Sequence, residues 1–208
     1  MVQPRPNEKQ RNAGRLVRIS GGVLKGKKIG IRKLFTAKNS VAELRPTAAK
    51  VREALFDILK NNIAGVSFLD LYAGSGAVGF EALSRGASTI CFVESDQQRA
   101  KAIQDIIEKA GLADRMSSCR EQVIGFLNRA ERSGIFFDII FADPPYASEE
   151  ITDTVSFIDK SRMLRDGGDL IVEHASKKSL DNSGLVTLHP VKTYRYGDTM
   201  LTRYRKVI

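Results

Sequence analysis

The sequence predicts an α/β protein built on a doubly wound, mostly parallel seven-stranded sheet, with a small basic β-hairpin extension at the N-terminus. Three observations carry this expectation. From residue 66 onward, short apolar runs rich in β-branched and aromatic residues alternate with amphipathic stretches of helical period over about 100 residues. The last two apolar runs have no helix between them, so the sheet should close with an antiparallel hairpin. The stretch "LVRISGGVLKGKKIGI" alternates apolar and basic residues around Gly21-Gly22 and Gly26, which reads as a hairpin of its own.

Taken in order, residues 1–14 are polar with two prolines and are expected to be disordered. The hairpin comes next, and residues 33–44 read as a loop. In "RPTAAKVREALFDILKN", Thr47 can cap a helix after Pro46, and Val51, Leu55, Ile58 and Leu59 fall on one face. Strands are expected at 66–72, 89–95, 116–119, 137–142, 169–174, 185–190 and 199–205. Helices are expected at about 77–86, 96–110, 121–132 and 149–164. His189, before Pro190, reads as a turn residue. The chain thus divides into an extension over 1–44 and a main domain over 45–208.

Composition excludes several classes. No run of about 18 apolar residues exists that could span a membrane. The N-terminus has no apolar segment of a secretory signal. Cys91 and Cys119 lie far apart, with no CxxC and two histidines in the chain, which argues against a disulfide framework or zinc site and for a reduced cytoplasmic setting. The net charge of +9 is unevenly spread. Residues 1–60 hold 15 Lys+Arg against 4 Asp+Glu, residues 61–175 hold 11 against 18, and residues 176–208 hold 7 against 2. Basic ends around an acidic middle predict a polyanion-binding surface built from both termini.

Ligands of such sheets bind beyond the carboxyl ends of the strands, where strand order reverses. The first strand ends in "FLDLYAGSGAVGFEAL", where Gly74, Gly76 and Gly79 satisfy G-x-G-x-x-G. Glu94 lies 20 residues after Gly74, at the end of the second strand, where an acidic group accepts from ribose hydroxyls. Together they form a nucleoside-binding signal. Asp70 narrows it. A pyrophosphate at the glycine turn would be repelled by that carboxylate, whereas a cofactor carrying an ammonium and a sulfonium, S-adenosylmethionine, would suit it. Asp70 could also hydrogen-bond its own loop, which is compatible with that role.

The fourth strand delivers Asp143-Pro144-Pro145-Tyr146. Two prolines stop a strand, but they also hold a carboxylate and a carbonyl rigidly at the mouth of the crevice. Methylation of an exocyclic base amine needs such a device, because the nitrogen lone pair is delocalised into the ring. Asp143 and the Pro144 carbonyl can hold the amine hydrogens, and Tyr146 can stack on the base.

The segments "DLYAGSGAVGFEALSRGA", "FVESD" and "FADPPY" resemble Rossmann-like class I methyltransferases of amino groups. "VRISGGVLKGKKI", "LRPTAAKVREALFDIL", "GGDLIVEH" and "YRYGDTMLTRY" narrow the resemblance to the bacterial 16S ribosomal RNA guanine-N2 methyltransferases acting at position 966. The resemblance implies that Asp70, Tyr72, Ala73, Gly74, Ser75, Gly76 and Gly79 form the cofactor turn. It further implies that Glu94 and Ser95 meet the ribose, and that Arg45, Pro46 and Thr47 close over the cofactor. Gln122 stands where the family has Asp or Asn facing the adenine. Arg18, Lys25, Lys27, Lys28, Arg45, Arg52 and Tyr196 are candidates for contact with RNA. Arg52 could instead pair with acidic residues of the middle region. The implied partner is 16S ribosomal RNA or the assembling small subunit, met by a monomer with no metal. Three alternatives stay open at this stage: an adenine-N6 methyltransferase, a nicotinamide-dependent oxidoreductase using the same glycine motif, and a non-catalytic RNA-binding module.

Overall fold

The structure is a computed structural model that describes residues 17–23, 25–26, 28–29, 49–145 and 150–208. The N-terminal stretch 1–14, the loop 33–44 and the Thr47 cap lie outside the described residues.

Two short strands, β1 (Val17–Arg18) and β2 (Lys28–Ile29), pair antiparallel, with Val17 opposite Ile29. Helix α1 (Ala49–Leu59) leads into the main sheet. Its strands and helices alternate: β3 (Ser67–Leu71), α2 (Ala77–Ser84), β4 (Thr89–Val93), α3 (Gln97–Lys109), β5 (Met116–Cys119), α4 (Val123–Arg132), β6 (Phe137–Ala142), α5 (Glu150–Lys160) and β7 (Leu164–Ala175). Strands β8 (Leu188–Tyr196) and β9 (Thr199–Lys206) complete it. The spatial order is β5-β4-β3-β6-β7-β9-β8, parallel through β7, with β9 antiparallel to β7 and to β8.

The near-continuous apolar runs of β3 and β6 are what a strand covered on both faces requires. Phe68, Ile90, Phe92, Ile139 and Phe141 pack on one face beneath α1, α2 and α3. Leu69, Leu71, Val93, Ile140 and Ala142 pack on the other beneath α4 and α5. Strand order reverses between β3 and β6. In register, Leu71 sits beside both Val93 and Ala142, so β3, β4 and β6 end level at one crevice, and β7, with Val172 beside Ala142, runs on past them to Ala175.

The N-terminal hairpin docks on α2. Ile19 is buried in the α1–α3 core. The Val23 N–H donates to the Ser84 carbonyl at 2.8 Å, and the Ser84 hydroxyl donates to the Gly21 carbonyl at 2.6 Å. A Cβ at Gly22 would stand 1.8 Å from the Ser84 carbonyl oxygen, so glycine is required by that approach as well as by its φ of 76°. At the centre of the contact is Glu81, fully buried. Its carboxylate accepts from Arg52 Nε at 2.6 Å, from Arg85 Nη2 at 2.8 Å and from the Ser20 hydroxyl.

Most boundaries hold or move by one or two residues, and three elements move further. Strand β7 begins at Leu164, not at 169: Leu164 pairs with Phe137, and a register shift then carries the chain through Gly167, at φ 73°, into the main ladder. Strand β8 runs 188–196 instead of 185–190, so His189 is a strand residue opposite Arg205 and not a turn residue. Helix α5 stops at Lys160, four residues early. The ammonium of Lys206, buried on β9, donates to the carbonyls of Ile158, Asp159 and Ser161 at 2.7–3.0 Å and so caps the helix end from a distant strand.

Asp159 binds the other side of this junction, accepting from the backbone N–H groups of Val186, Thr187 and Leu188. Burial raises its pKa, but those three donors outweigh burial and hold the carboxyl below its usual value. A depressed carboxyl contributes stability that is full above its unfolded value, about 4, and is lost as pH falls through the folded value. The contribution of Asp159 should therefore be constant above about pH 5 and be lost in acid. Asp159→Asn should lower the unfolding temperature at pH 7 and flatten the acid limb in calorimetry; an unchanged limb would contradict this assignment.

Candidate active site

The crevice is built from the segments at the carboxyl ends of the strands. After β3 the chain turns sharply at Tyr72, which has φ 61° and is the one non-glycine residue with left-handed φ among the described residues. Such strain in a bulky residue persists only where the surroundings hold it. Here the Tyr72 hydroxyl lies 3.0 Å from Thr154 Oγ1 on α5, and burial pushes the phenol pKa up to about 12. Gly74 (φ 54°) and Gly76 (φ 73°) carry the turn into α2, with Gly76 at its N-cap. Ala73 is buried and donates to the Val93 carbonyl at 2.9 Å, whereas Gly74 and Ser75 are half-buried at the crevice. The third glycine has a different reason. A Cβ on Gly79 would meet the Phe92 ring at 2.2 Å, so Gly79 serves the packing of α2 on β4 rather than approach to a ligand.

Glu94 is buried directly after β4 and braces the turn. Its Oε2 accepts from the Gly74 N–H at 2.8 Å, and its Oε1 accepts from the Asp96 N–H at 2.8 Å and from Arg99 Nη2 at 2.9 Å. Arg99 Nε is buried with no hydrogen-bond partner among the described residues. Ser95 is exposed beside it. Each carboxylate oxygen carries about two acceptor sites, so Oε2 retains capacity for a hydroxyl. Glu94→Ala should leave Gly74 N–H, Asp96 N–H and Arg99 without their acceptor. A roughly 10-fold or greater loss of S-adenosylhomocysteine affinity is expected by titration calorimetry, and unchanged affinity would remove Glu94 from the site.

Asp70 is 2% exposed and accepts from the Gly79 N–H at 2.9 Å, so its visible contact is with its own loop. Burial raises its pKa well above the ordinary carboxylate value, and the neighbouring Asp143 and Glu94 charges add to the rise. These three carboxyl groups share one electronegative crevice. Asp143 stands directly after β6, half-buried, followed by buried Pro144 and exposed Pro145. Gln122 is the N-cap of α4, exposed, and its side chain makes no capping bond.

Tyr196 is half-buried in front of the Gly197 turn, packed with Tyr194 against the α1–α3 core. Ser176 N–H donates to the Asp198 carbonyl at 2.8 Å, which pins this turn to the end of β7 and hence to the crevice side. His174 is buried: Nε2 lies 2.9 Å from Thr202 Oγ1, and burial lowers its pKa, so it serves the sheet as a neutral ring.

The RNA-facing expectations divide. Lys25 is exposed in the N-terminal hairpin. Arg52 is not available to a polyanion, because it is 4% exposed and committed to Glu81. Arg45, Pro46, Thr47, Lys27 and Tyr146 lie outside the described residues, and for Arg18 and Lys28 only the backbone is described. Two basic residues join the candidates from the structure. Lys192 and Arg195 are exposed on β8 beside Tyr196, with Lys192 Nζ 5.0 Å from the centre of the Tyr194 ring. Their signal in the sequence is a Lys-x-Tyr-Arg-Tyr alternation, masked because the apolar pattern places the strand at 185–190.

An antiparallel last strand on an otherwise Rossmann-like sheet, with carboxylates where a dinucleotide site would need anion donors, defines a class I methyltransferase that uses S-adenosylmethionine. The family model described as Conserved hypothetical protein 95 matches residues 17–205, and the chain belongs to that family. It is 33% identical over 168 residues to ribosomal RNA small subunit methyltransferase D of Escherichia coli K12, covering 79% of this chain and 77% of that one. It is 31% identical over 183 residues to the protein of the same name from Haemophilus influenzae, covering 88% and 91%. The solved structure of Escherichia coli yhhF superposes with a TM-score of 0.76 at 26% identity, over 92% of this chain and 98% of that one. No helix among the described residues is long and apolar enough to cross a membrane.

Proposed function

We propose that the protein transfers a methyl group from S-adenosylmethionine to the exocyclic N2 amine of a guanine in 16S ribosomal RNA, at position 966. The observation that carries this reading is the convergence of Glu94, Asp70 and Asp143 on one crevice around a glycine turn. That field favours a cation and opposes a pyrophosphate, which sets the nicotinamide alternative aside. The names of the relatives supply ribosomal RNA as the substrate class.

S-adenosylmethionine supplies a methyl group already activated by its sulfonium charge. Glu94 fits the ribose hydroxyls, and the Tyr72–Gly76 turn, with Asp70 behind it, fits the methionine part. Gln122 stands at the adenine edge. Asp143 and the Pro144 carbonyl accept from the amine, which localises the nitrogen lone pair and aims it into the crevice. The rigid prolines keep those acceptors in place. Tyr146 completes the loop as a stacking surface. The basic extension over residues 1–44, with Lys25, and the β8 residues Lys192, Arg195 and Tyr196 grip RNA phosphates and bases around the 45–208 catalytic domain. The protein works as a monomer in the cytoplasm on the assembling small subunit.

Mass spectrometry of small-subunit RNA from a strain lacking this gene tests the assignment. N2-methylguanosine should fall by one residue per RNA, and restored expression should return it. An unchanged level overturns the reading.

A further inference from the structure

The Asp-Pro-Pro loop reads only an exocyclic amine, and guanine and adenine both have one. Something else must choose the base. The sheet brings one further carboxylate to the place where that choice is made. In the β6–β7 ladder, Ala142 pairs with Val172, so Asp143, the first residue past the end of β6, follows that pair as Glu173 does on β7. Glu173 is 3% exposed, and it lines a small pocket together with Pro144, Pro145, His174 and Lys178. The methyl-transfer geometry at Asp143 makes no use of it.

We infer that Glu173 selects guanine by accepting hydrogen bonds from the N1–H and N2–H of its Watson–Crick edge. An ionised carboxylate only accepts. Guanine offers it two adjacent donors. Adenine offers an amine beside N1, whose lone pair would face the carboxylate oxygen and leave it unsatisfied in a desolvated site, at a cost that binding elsewhere does not recover. Asp143 and the Pro144 carbonyl then share the remaining amine hydrogen, and Glu173 fixes the plane of the ring. Glu173 is thus a base-selecting residue beside the acceptors that orient the amine. This inference rests on the guanine-N2 reading above and deepens it.

The test uses small subunits reconstituted with RNA carrying either guanine or 2-aminopurine at the acceptor position. Both bases have the N2 amine, but 2-aminopurine has a lone pair at N1 in place of N1–H. Wild-type protein should prefer guanine roughly 10- to 100-fold in kcat/KM, the discrimination of a good bidentate pair. Glu173→Gln can donate to N1 through its amide, so its preference should collapse to near unity while S-adenosylhomocysteine affinity is unchanged. Glu173→Asp should keep the preference at a lower rate. A ratio unchanged in Glu173→Gln, or a Glu173→Gln protein that binds S-adenosylhomocysteine yet methylates neither base, overturns the inference and leaves the guanine-N2 reading standing. A wild-type ratio near one does the same without any variant. Absence of transfer to guanine by the wild-type protein overturns both.

Discussion

Asp143→Ala should lower methyl transfer roughly 10²- to 10³-fold and leave S-adenosylhomocysteine binding nearly unchanged. The separation comes from position. In the function proposed above, cofactor contacts come from the ends of β3 and β4, through the Gly74 turn and Glu94, which are hydrogen-bonded to each other. Asp143 comes from β6 on the other side of the switch point, next to the pocket lined by Pro144 and Pro145. The proposed role is on the acceptor amine, whose lone pair must be localised only in the transition state, so the loss should fall in kcat more than in KM. Asp143→Asn retains one acceptor but adds donors that face the amine hydrogens, and should rescue little. Single-turnover transfer and titration calorimetry on the same preparations read the two quantities. Near-normal turnover of Asp143→Ala would remove the loop from the chemistry.

Glu81→Ala should be the most destabilising single change in the described structure. Glu81 is fully buried and holds two guanidinium groups, one of them from Arg52, itself 4% exposed. Burial alone would raise its pKa, yet Ser20, Arg52 and Arg85 together hold it below the usual value. The carboxylate therefore stays charged between its cations, and deleting it strands them in the interior. Breaking a buried pair in this way costs about 3–5 kcal/mol, or a fall of roughly 10 °C in unfolding temperature for a chain of this size. The loss should also loosen the N-terminal hairpin, because Ser20 and Arg85 meet on the same carboxylate. Lys101→Ala offers the contrast, since the Lys101–Asp105 pair is largely exposed and should be worth less than about 1 kcal/mol. Thermal unfolding of the two variants side by side checks the ranking; equal shifts would contradict it.

Much of this architecture is legible in the sequence because parallel strands covered on both faces leave unbroken apolar runs, and β5 and β6 fall at the expected residues. The features that escape depend on contacts between distant parts. Nothing near residue 160 says that Lys206, on the last strand, will cap α5. The sequence leaves Arg52 open between RNA and an acidic residue of the middle region, and only the packing of α1 on α2 makes Glu81 that acidic partner. The site shows the same division. Gly74, Gly76 and Glu94 announce themselves by spacing, because one loop and one strand end must meet a ligand at fixed separation. The role of Gly79 needs the Phe92 ring beneath it. Glu173 is visible as a strand-end residue, but only the β6–β7 register sets it beside Asp143.

Methyl transfer to guanine N2 in small-subunit ribosomal RNA is tested most directly with the purified protein. It is incubated with methyl-deuterated S-adenosylmethionine and small subunits from a strain lacking this gene, and the RNA is digested to nucleosides for mass spectrometry. The label should appear in N2-methylguanosine, close to one per subunit, and Asp143→Ala should leave it in the cofactor. Label in N6-methyladenosine, or no label in RNA from a protein that binds S-adenosylhomocysteine, would contradict transfer to guanine N2.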